Sequence, residues 1–508
     1  MITKGKIILP TGTGKTLVEA ELIRKEIVDL MAKGSVPVIK VNSSRILLCF
    51  QLFEEIFSYL NSYGISARYV NFNSGNADDE LYAKEIRATG GVYKNIVSTT
   101  SPEEVKNTFN KAVNDGIPLI VFSTYHSSLK FGSTDLIPDL TIHDEAHNCV
   151  NLEFYKVAQM ESKKDYFFTA TEKVTDTDRD LGMNNPDIFG PLIYTKCAKS
   201  MVEAGEMVRP MVHVVRPKNG SKVVIKNIGN DYDALMNSIE SAFLEHETTI
   251  KTYSSNPDEI GAKVLVVCSG QTELIEMFNT NMFVEFRKTH PDIHVYALSS
   301  EFGVYVDGIK LQSPVTNMKK HNLIKQLKAL KSSERAIIFH VDMIGEGIDV
   351  PGITGVMPFR NSELSKFVQN TGRSSRLHPQ DRINLYNGTI GVDDMSKWIK
   401  PYSWVIIPSF LENSEGYSSR FKEIINDLRD RYGYIPQQHT LIDNPNGLEE
   451  EIDIDKVNDI NKNRPNKDSN LKDFDHELEG MSVTEKILYE IKLSDEYNNI
   501  VDTDTLPW

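Results

Sequence analysis

Two carboxylates, an ammonium, a hydroxyl and a pair of guanidiniums are spaced along this sequence so that a fold could bring them to one task. The ammonium and hydroxyl are Lys15 and Thr16, which close the run Leu9-Pro-Thr-Gly-Thr-Gly-Lys-Thr16. A short apolar stretch, Lys6-Ile-Ile-Leu9, precedes that run, and Leu17, Ala20, Ile23, Ile27 and Leu30 follow at helical spacing. The motif therefore sits on a strand-to-helix turn, where a phosphate is well held. Thr11, Gly12, Thr13 and Gly14 form the cradle: the glycines let the backbone turn its N–H groups inward, and the helix N-terminus adds partial positive charge. Lys15 can then reach β- and γ-phosphates, and the Thr16 hydroxyl can ligate Mg²⁺. The usual pattern begins with glycine where this chain has Leu9.

The carboxylates are Asp144 and Glu145, at the end of the apolar run Asp139-Leu-Thr-Ile-His143. One can hold the water shell of Mg²⁺ and the other can polarise an attacking water. The guanidiniums, Arg373 and Arg376, belong to Gln369-Asn-Thr-Gly-Arg-Ser-Ser-Arg376. Their spacing predicts one helical turn between them and a shared helix face. Guanidiniums suit the charge that develops on a transferred γ-phosphoryl, and a second domain that carries them makes hydrolysis depend on closure.

The elements that must position these groups alternate in kind. After a first helix closed near Gly34 come a strand at Val36–Val41, the polar turn Asn42–Arg45 and another helix; similar units recur at Ala67–Asn71, Pro118–Phe122 and Asp139–His143. Tyr166–Phe168 is a further buried-strand candidate, ending in Thr169-Ala-Thr171, and the Gly/Pro punctuation from Gly205 to Pro217 predicts a strand crossing between domains. A second series has strands at Lys263–Cys268, Ala336–Val341 and Trp404–Ile407, with a loop or hairpin insertion over 299–317. Strands alternating with helices imply parallel α/β sheets. The helix marked by Leu323, Ile324, Leu327 and Leu330 carries a lysine face whose plainer reading is a solvated surface. Beyond about Asp443 the composition predicts a mobile linker, with a short helix after Ser482.

At 508 residues, 40% hydrophobic and 25% charged, the chain has room for roughly two to four soluble domains. A net charge of −15 excludes a surface that coats polyanions generally, so nucleic acid would need a locally basic cleft. Cys49, Cys149, Cys197 and Cys268 have no metal-site spacing and are expected to be small core residues in a reducing compartment. With no transmembrane-length run and no signal-peptide pattern, no membrane partner is expected, and the location expected is the cytoplasm of a cell or of a virus- or phage-infected host.

Taken in order, Leu-Pro-Thr-Gly-Thr-Gly-Lys-Thr, Asp-Glu-Ala-His, Thr-Ala-Thr, Gly345-Glu-Gly-Ile-Asp-Val-Pro351 and Gln-x-x-Gly-Arg-x-x-Arg resemble motifs I, II, III, V and VI of superfamily 2 helicases of the DEAD/DEAH-box type. The resemblance covers roughly residues 1–410, and the segment from Asp187 to Val208 is similar to the branch near phage helicases and restriction-enzyme motor subunits. It implies an α/β fold of two tandem RecA-like P-loop domains, with domains at 1–209 and 210–410 and a helical, partly flexible extension over 411–508. The activity implied is ATP- and Mg²⁺-dependent movement on nucleic acid, with DNA favoured over RNA. Thr16 and Asp144 would hold the metal, Glu145 would be the catalytic base, and Gln369 would help place the water beside the Arg373–Arg376 finger pair. Gly347 and Asp349 would approach the nucleotide, His147, Thr169 and Thr171 would couple the site to nucleic acid, and Ser44, Arg45, Ser123, Thr124 and Ser269 would hold the phosphodiester backbone. Upstream of Ile7 the chain has almost nothing with which to read adenine, so either a partner chain or an upstream segment supplies that motif or GTP and CTP are expected to be hydrolysed within about tenfold of ATP. No nuclease constellation accompanies the motor. An ATP-gated clamp or scaffold subunit with little turnover is the competing function.

Overall fold

A computed structural model of the chain describes residues 3–73, 96–170, 172–174, 181–215, 232–268, 270–298, 305–306, 309–310, 323, 325–341, 350–358 and 371–408. The expected extension over 411–508 and the helix after Ser482 lie outside the described residues.

Apolar runs too long to alternate become strands covered on both faces, as parallel sheets require. In the first sheet these are β1 (Lys4–Ile8), β2 (Val38–Ser43), β3 (Arg68–Phe72), β4 (Ile96–Thr99), β5 (Leu119–Thr124), β6 (Leu140–His143), β7 (Asp165–Thr169) and β8 (Leu192–Thr195). Their order is β4-β3-β5-β2-β6-β7-β1-β8, and every pairing is parallel. Because β6, β7 and β1 are neighbours, the residues that leave their C-terminal ends emerge side by side: Asp144, Thr169 and the loop after Ile8. That edge is where ligands bind in sheets of this kind.

The second sheet contains β9 (Arg209–Val215), β10 (Lys263–Val267), β11 (His294–Leu298), β12 (Tyr305–Val306), β13 (Ile309–Lys310), β14 (Ala336–His340), β15 (Gly355–Pro358) and β16 (Tyr402–Pro408). Six strands are parallel, while β12 and β13 form an antiparallel hairpin on the β11 edge, within the stretch read as an insertion. The crossing strand expected after Gly205 is β9, which pairs with β16 over its whole length.

Helices α1 (Lys15–Ala32) and α2 (Ile46–Ser62) pack on the first sheet, where α1 buries Val18, Ala20, Leu22, Ile23 and Ile27. The same apolar cluster continues through Met207 to Leu265, Ile338 and Val405 of the second sheet. Cys49, Cys149 and Cys268 are buried, but Cys197 is exposed, a correction to the expected set of four core cysteines. It precedes the helix Ala198–Glu203, and its Sγ accepts from the Ser200 amide at 3.4 Å, so a capping role keeps it at a solvent-facing helix end. Among the described residues no helix is long and apolar enough to cross a membrane.

Candidate nucleotide site

The loop from Leu9 to Thr16 leaves β1 and enters α1 with two left-handed glycines, Gly12 at φ 92° and Gly14 at φ 83°. The Leu9 amide donates to the Thr169 carbonyl at 2.9 Å, which fixes the loop to the end of β7, and Thr13 Oγ1 donates to the Pro10 carbonyl at 2.8 Å. Leu17 and Val18 amides begin the helix on the Gly14 carbonyl.

Lys15 points at the ends of β6. Its Nζ lies 3.0 Å from Glu145 Oε1 and 4.0 Å from Asp144 Oδ1. Burial alone would lower the lysine pKa, but Glu145 and Asp144 outweigh it and hold it above its ordinary value. Burial is also the largest influence on both carboxylates. It pushes Asp144 up to about 7 despite Lys15, whereas for Glu145 the charges of Lys15 and His147 overcome it and the pKa falls. Glu145 is one of two non-glycine residues with positive φ among the described residues, at 49°. A glutamate in that region costs roughly 1–3 kcal/mol and persists only where its surroundings hold it. Here the Asn148 backbone and side-chain amides both donate to its carbonyl at 3.0 Å, and Tyr125 Oη donates to the Asp144 carbonyl at 2.8 Å.

His147 Nδ1 stands 3.1 Å from Thr169 Oγ1 and 3.4 Å from Glu145 Oε2, so it bridges the carboxylate and the end of β7. Glu19, which lies one turn beyond Lys15 and reads in the sequence only as one of several acids in that helix, is fully buried. Neither of its oxygens, nor Glu145 Oε2, finds a hydrogen-bond partner among the described residues. Burial and the charge of Asp144 hold the Glu19 pKa well above the ordinary range. The Asp144–Glu145 pair beside Lys15 suits a metal-bound phosphate, for which Lys15 would leave the carboxylates. The carboxylates and the ammonium thus fit the charges of a metal-bound nucleotide.

The second sheet delivers the arginines to this loop. A Cβ built on Gly12 would stand 3.0 Å from Arg376 Cγ and 3.1 Å from Arg376 Nε, and one on Gly372 would lie 2.8 Å from Thr11 Cβ. Arg373 is buried, and its charge helps keep Glu145 ionised. The two arginines do not share a helix face, because helical geometry among the described residues ends at 374. Ser374 and Ser375 hydroxyls turn back onto the Thr371 carbonyl at 2.9 and 3.0 Å, which bends the turn, and His378 precedes Pro379, which disfavours helix at that position. Leu377 and His378 instead lead into a new helix, Pro379–Tyr386.

Of the residues read as nucleic-acid contacts, Ser44 and Arg45 occupy the partly exposed turn between β2 and α2. Ser123 is fully buried and donates to Asn42 Oδ1 at 2.8 Å, while Thr124 caps the helix Tyr125–Phe131. Thr171, Ser269, Gly347, Asp349 and Gln369 lie outside the described residues.

No family model matches the chain, and no curated protein matches it at a significant level. Among solved structures it is similar to the ATP-dependent Type ISP restriction-modification enzyme LlaBIII bound to DNA, at 17% identity and a TM-score of 0.56 over 85% of this chain. The match spans 28% of that enzyme's length. Mss116p bound to ssRNA and AMP-PNP matches at 18% identity and a TM-score of 0.46, over 83% of this chain and 74% of its own. Dbp5 of S. cerevisiae bound to RNA and ADP BeF3 matches at 14% and 0.45, over 90% and 88%. The likeness to the first shows the fold alone, two predominantly parallel α/β sheets in tandem.

Proposed function

We propose that this chain, folded as a superfamily 2 motor, hydrolyses ATP between its two sheets and uses the cycle to move on nucleic acid, with DNA favoured as the polymer. The observation that carries the reading is the contact between the arginine segment and the phosphate loop, Gly372 against Thr11 and Arg376 against Gly12. A nucleotide held by residues 11–16 would touch both sheets, so its binding and hydrolysis would change how they fit together. Thr16 and Asp144 would hold magnesium, which when bound withdraws charge from the phosphates. Lys15 would leave Glu145 for the β- and γ-phosphates, and Glu145 would take a proton from the attacking water. Arg373 and Arg376 would face the charge that develops on the transferred group. His147 would report the state of Glu145 to Thr169. In this reading the motor units are residues 1–209 and 210–410, with 411–508 an extension; Gln369, Gly347 and Asp349 keep the roles that their motifs imply.

Steady-state phosphate release, measured alone and with single-stranded DNA, duplex DNA and single-stranded RNA in parallel, tests the proposal. Strong stimulation by a polymer is expected, greatest with DNA. Hydrolysis that ignores all three polymers would favour an ATP-gated clamp, and no hydrolysis under any condition would overturn the reading.

A further inference from the structure

A lysine outside every motif grips the arginine segment by its backbone. Lys400 lies just before β16 and is 2% exposed; its Nζ donates to the Ser374 carbonyl at 2.6 Å and to the Arg376 carbonyl at 2.7 Å. These carbonyls lie where the helical turn over 371–374 ends, the place where a helix leaves acceptors without intrahelical donors and where a cation is favoured. The grip is itself braced. Both oxygens of fully buried Asp381 accept from the chain beside it, Oδ1 from the Ile399 amide and Oδ2 from the Lys400 amide, each at 2.8 Å. Ser374 Oγ meets Ser403 Oγ at 2.6 Å, and the Val208 amide, just before β9, donates to the Ser375 carbonyl at 2.8 Å.

Arg376 is thus fixed at both ends: its carbonyl on Lys400 and its side chain against Gly12. Burying an ammonium costs several kcal/mol, so packing alone would be better served by leucine or methionine at position 400. A long arginine side chain delivers its guanidinium to one place only if its backbone stays in one place, and an error of about 1 Å in a reacting group costs on the order of a hundredfold in rate.

We infer that Lys400 is a positioning residue for hydrolysis: by holding the carbonyls of Ser374 and Arg376 it sets where the Arg376 guanidinium enters the phosphate loop, and it acts through that arginine. The inference rests on reading Arg376 as a finger.

A double-mutant cycle on the full chain tests it, with single-turnover phosphate release at saturating nucleotide and polymer. Arg376→Ala should slow turnover about a thousandfold, as for other arginine fingers. Lys400→Met should slow it about ten- to a hundredfold while leaving the nucleotide KM within about threefold, and should add less than about twofold in the Arg376→Ala background. Equal losses from Lys400→Met in both backgrounds would show that it acts elsewhere and would overturn the inference. So would wild-type turnover in Lys400→Met beside a slow Arg376→Ala. Unchanged turnover in Arg376→Ala would instead remove the finger reading, and the route through Arg376 with it. Should the methionine variant fail to fold, Lys400→Gln, which keeps a donor for one carbonyl, takes its place in the same cycle, with an intermediate loss expected and the same results overturning the inference.

Discussion

Replacing one carboxylate oxygen of Glu145 by an amide nitrogen is the smallest change that separates holding Lys15 from accepting a proton. In the proposed hydrolysis Glu145→Gln should keep ATP binding and lose turnover, because a base would act mainly in the transition state, whereas Lys15→Ala should lose hydrolysis outright, because the ammonium would serve the phosphates throughout. Equilibrium binding of a fluorescent ATP analogue beside phosphate release checks both, and normal turnover in Glu145→Gln would remove that residue as the base. A second buried lysine makes the stability of the fold depend on pH. Lys40, within β2, is 2% exposed; its Nζ meets the Phe131 ring at 4.7 Å and Met160 Sδ at 3.7 Å. Burial lowers its pKa from 10.5 to about 7, against the pull of Asp165. Between those values the unfolded chain carries a proton that the folded protein does not, so this residue's contribution rises with pH across that window and is lost as pH falls through about 7. Lys40→Met removes the term. Its stability gain over the wild type should be larger at pH 6 than at pH 10 by roughly a few kcal/mol, read from urea midpoints; the same gain at both would contradict the account.

At the scale of elements, Asn42 at the end of β2 does more than its place in a polar turn suggests. Its Oδ1 accepts from Ser123 Oγ at 2.8 Å and from Ser128 Oγ at 3.0 Å, tying β2 to β5 and to the helix that follows β5. Asn42→Leu would leave two buried hydroxyls without their acceptor, and should cost about 2 kcal/mol or more. A denaturant midpoint unchanged from the wild type would show that the hydroxyls find other partners. This hub was not legible in the sequence, because asparagine in a turn has a sufficient local explanation. The strand before it was legible but misplaced: the expected 36–41 became Val38–Ser43, since Pro37 has no N–H to give a ladder. The short strands β4 and β8 went unread, being four residues each with no alternation, and they exist because a longer parallel neighbour offers its edge. The Arg373–Arg376 helix was extended too far for a related reason: its end is set by Pro379 and by serine hydroxyls turning back on Thr371, and spacing alone carries neither.

For the whole molecule, the motif order carried the two mainly parallel sheets and brought the loop after β1, Asp144 and Glu145 to one task at the strand ends of the first. What it could not carry was contact across the molecule. That Gly12 meets Arg376, that Val208 holds Ser375, and that Lys400 closes on the arginine segment are facts of tertiary packing between residues far apart in the chain. The order of the strands has a consequence for how such a chain is born. β1 leaves the ribosome before both its neighbours, β7 and β8, which lie between Asp165 and Thr195, so the loop after it has no fixed seat until the first sheet is nearly all translated. The wait of β9 is longer, because its one partner among the described strands is β16, about 190 residues downstream. At about 5–20 residues per second that is roughly ten to forty seconds of an open strand edge on the nascent chain. Synonymous codons that slow translation between Val215 and Tyr402 would lengthen that exposure without altering a single residue of the finished protein.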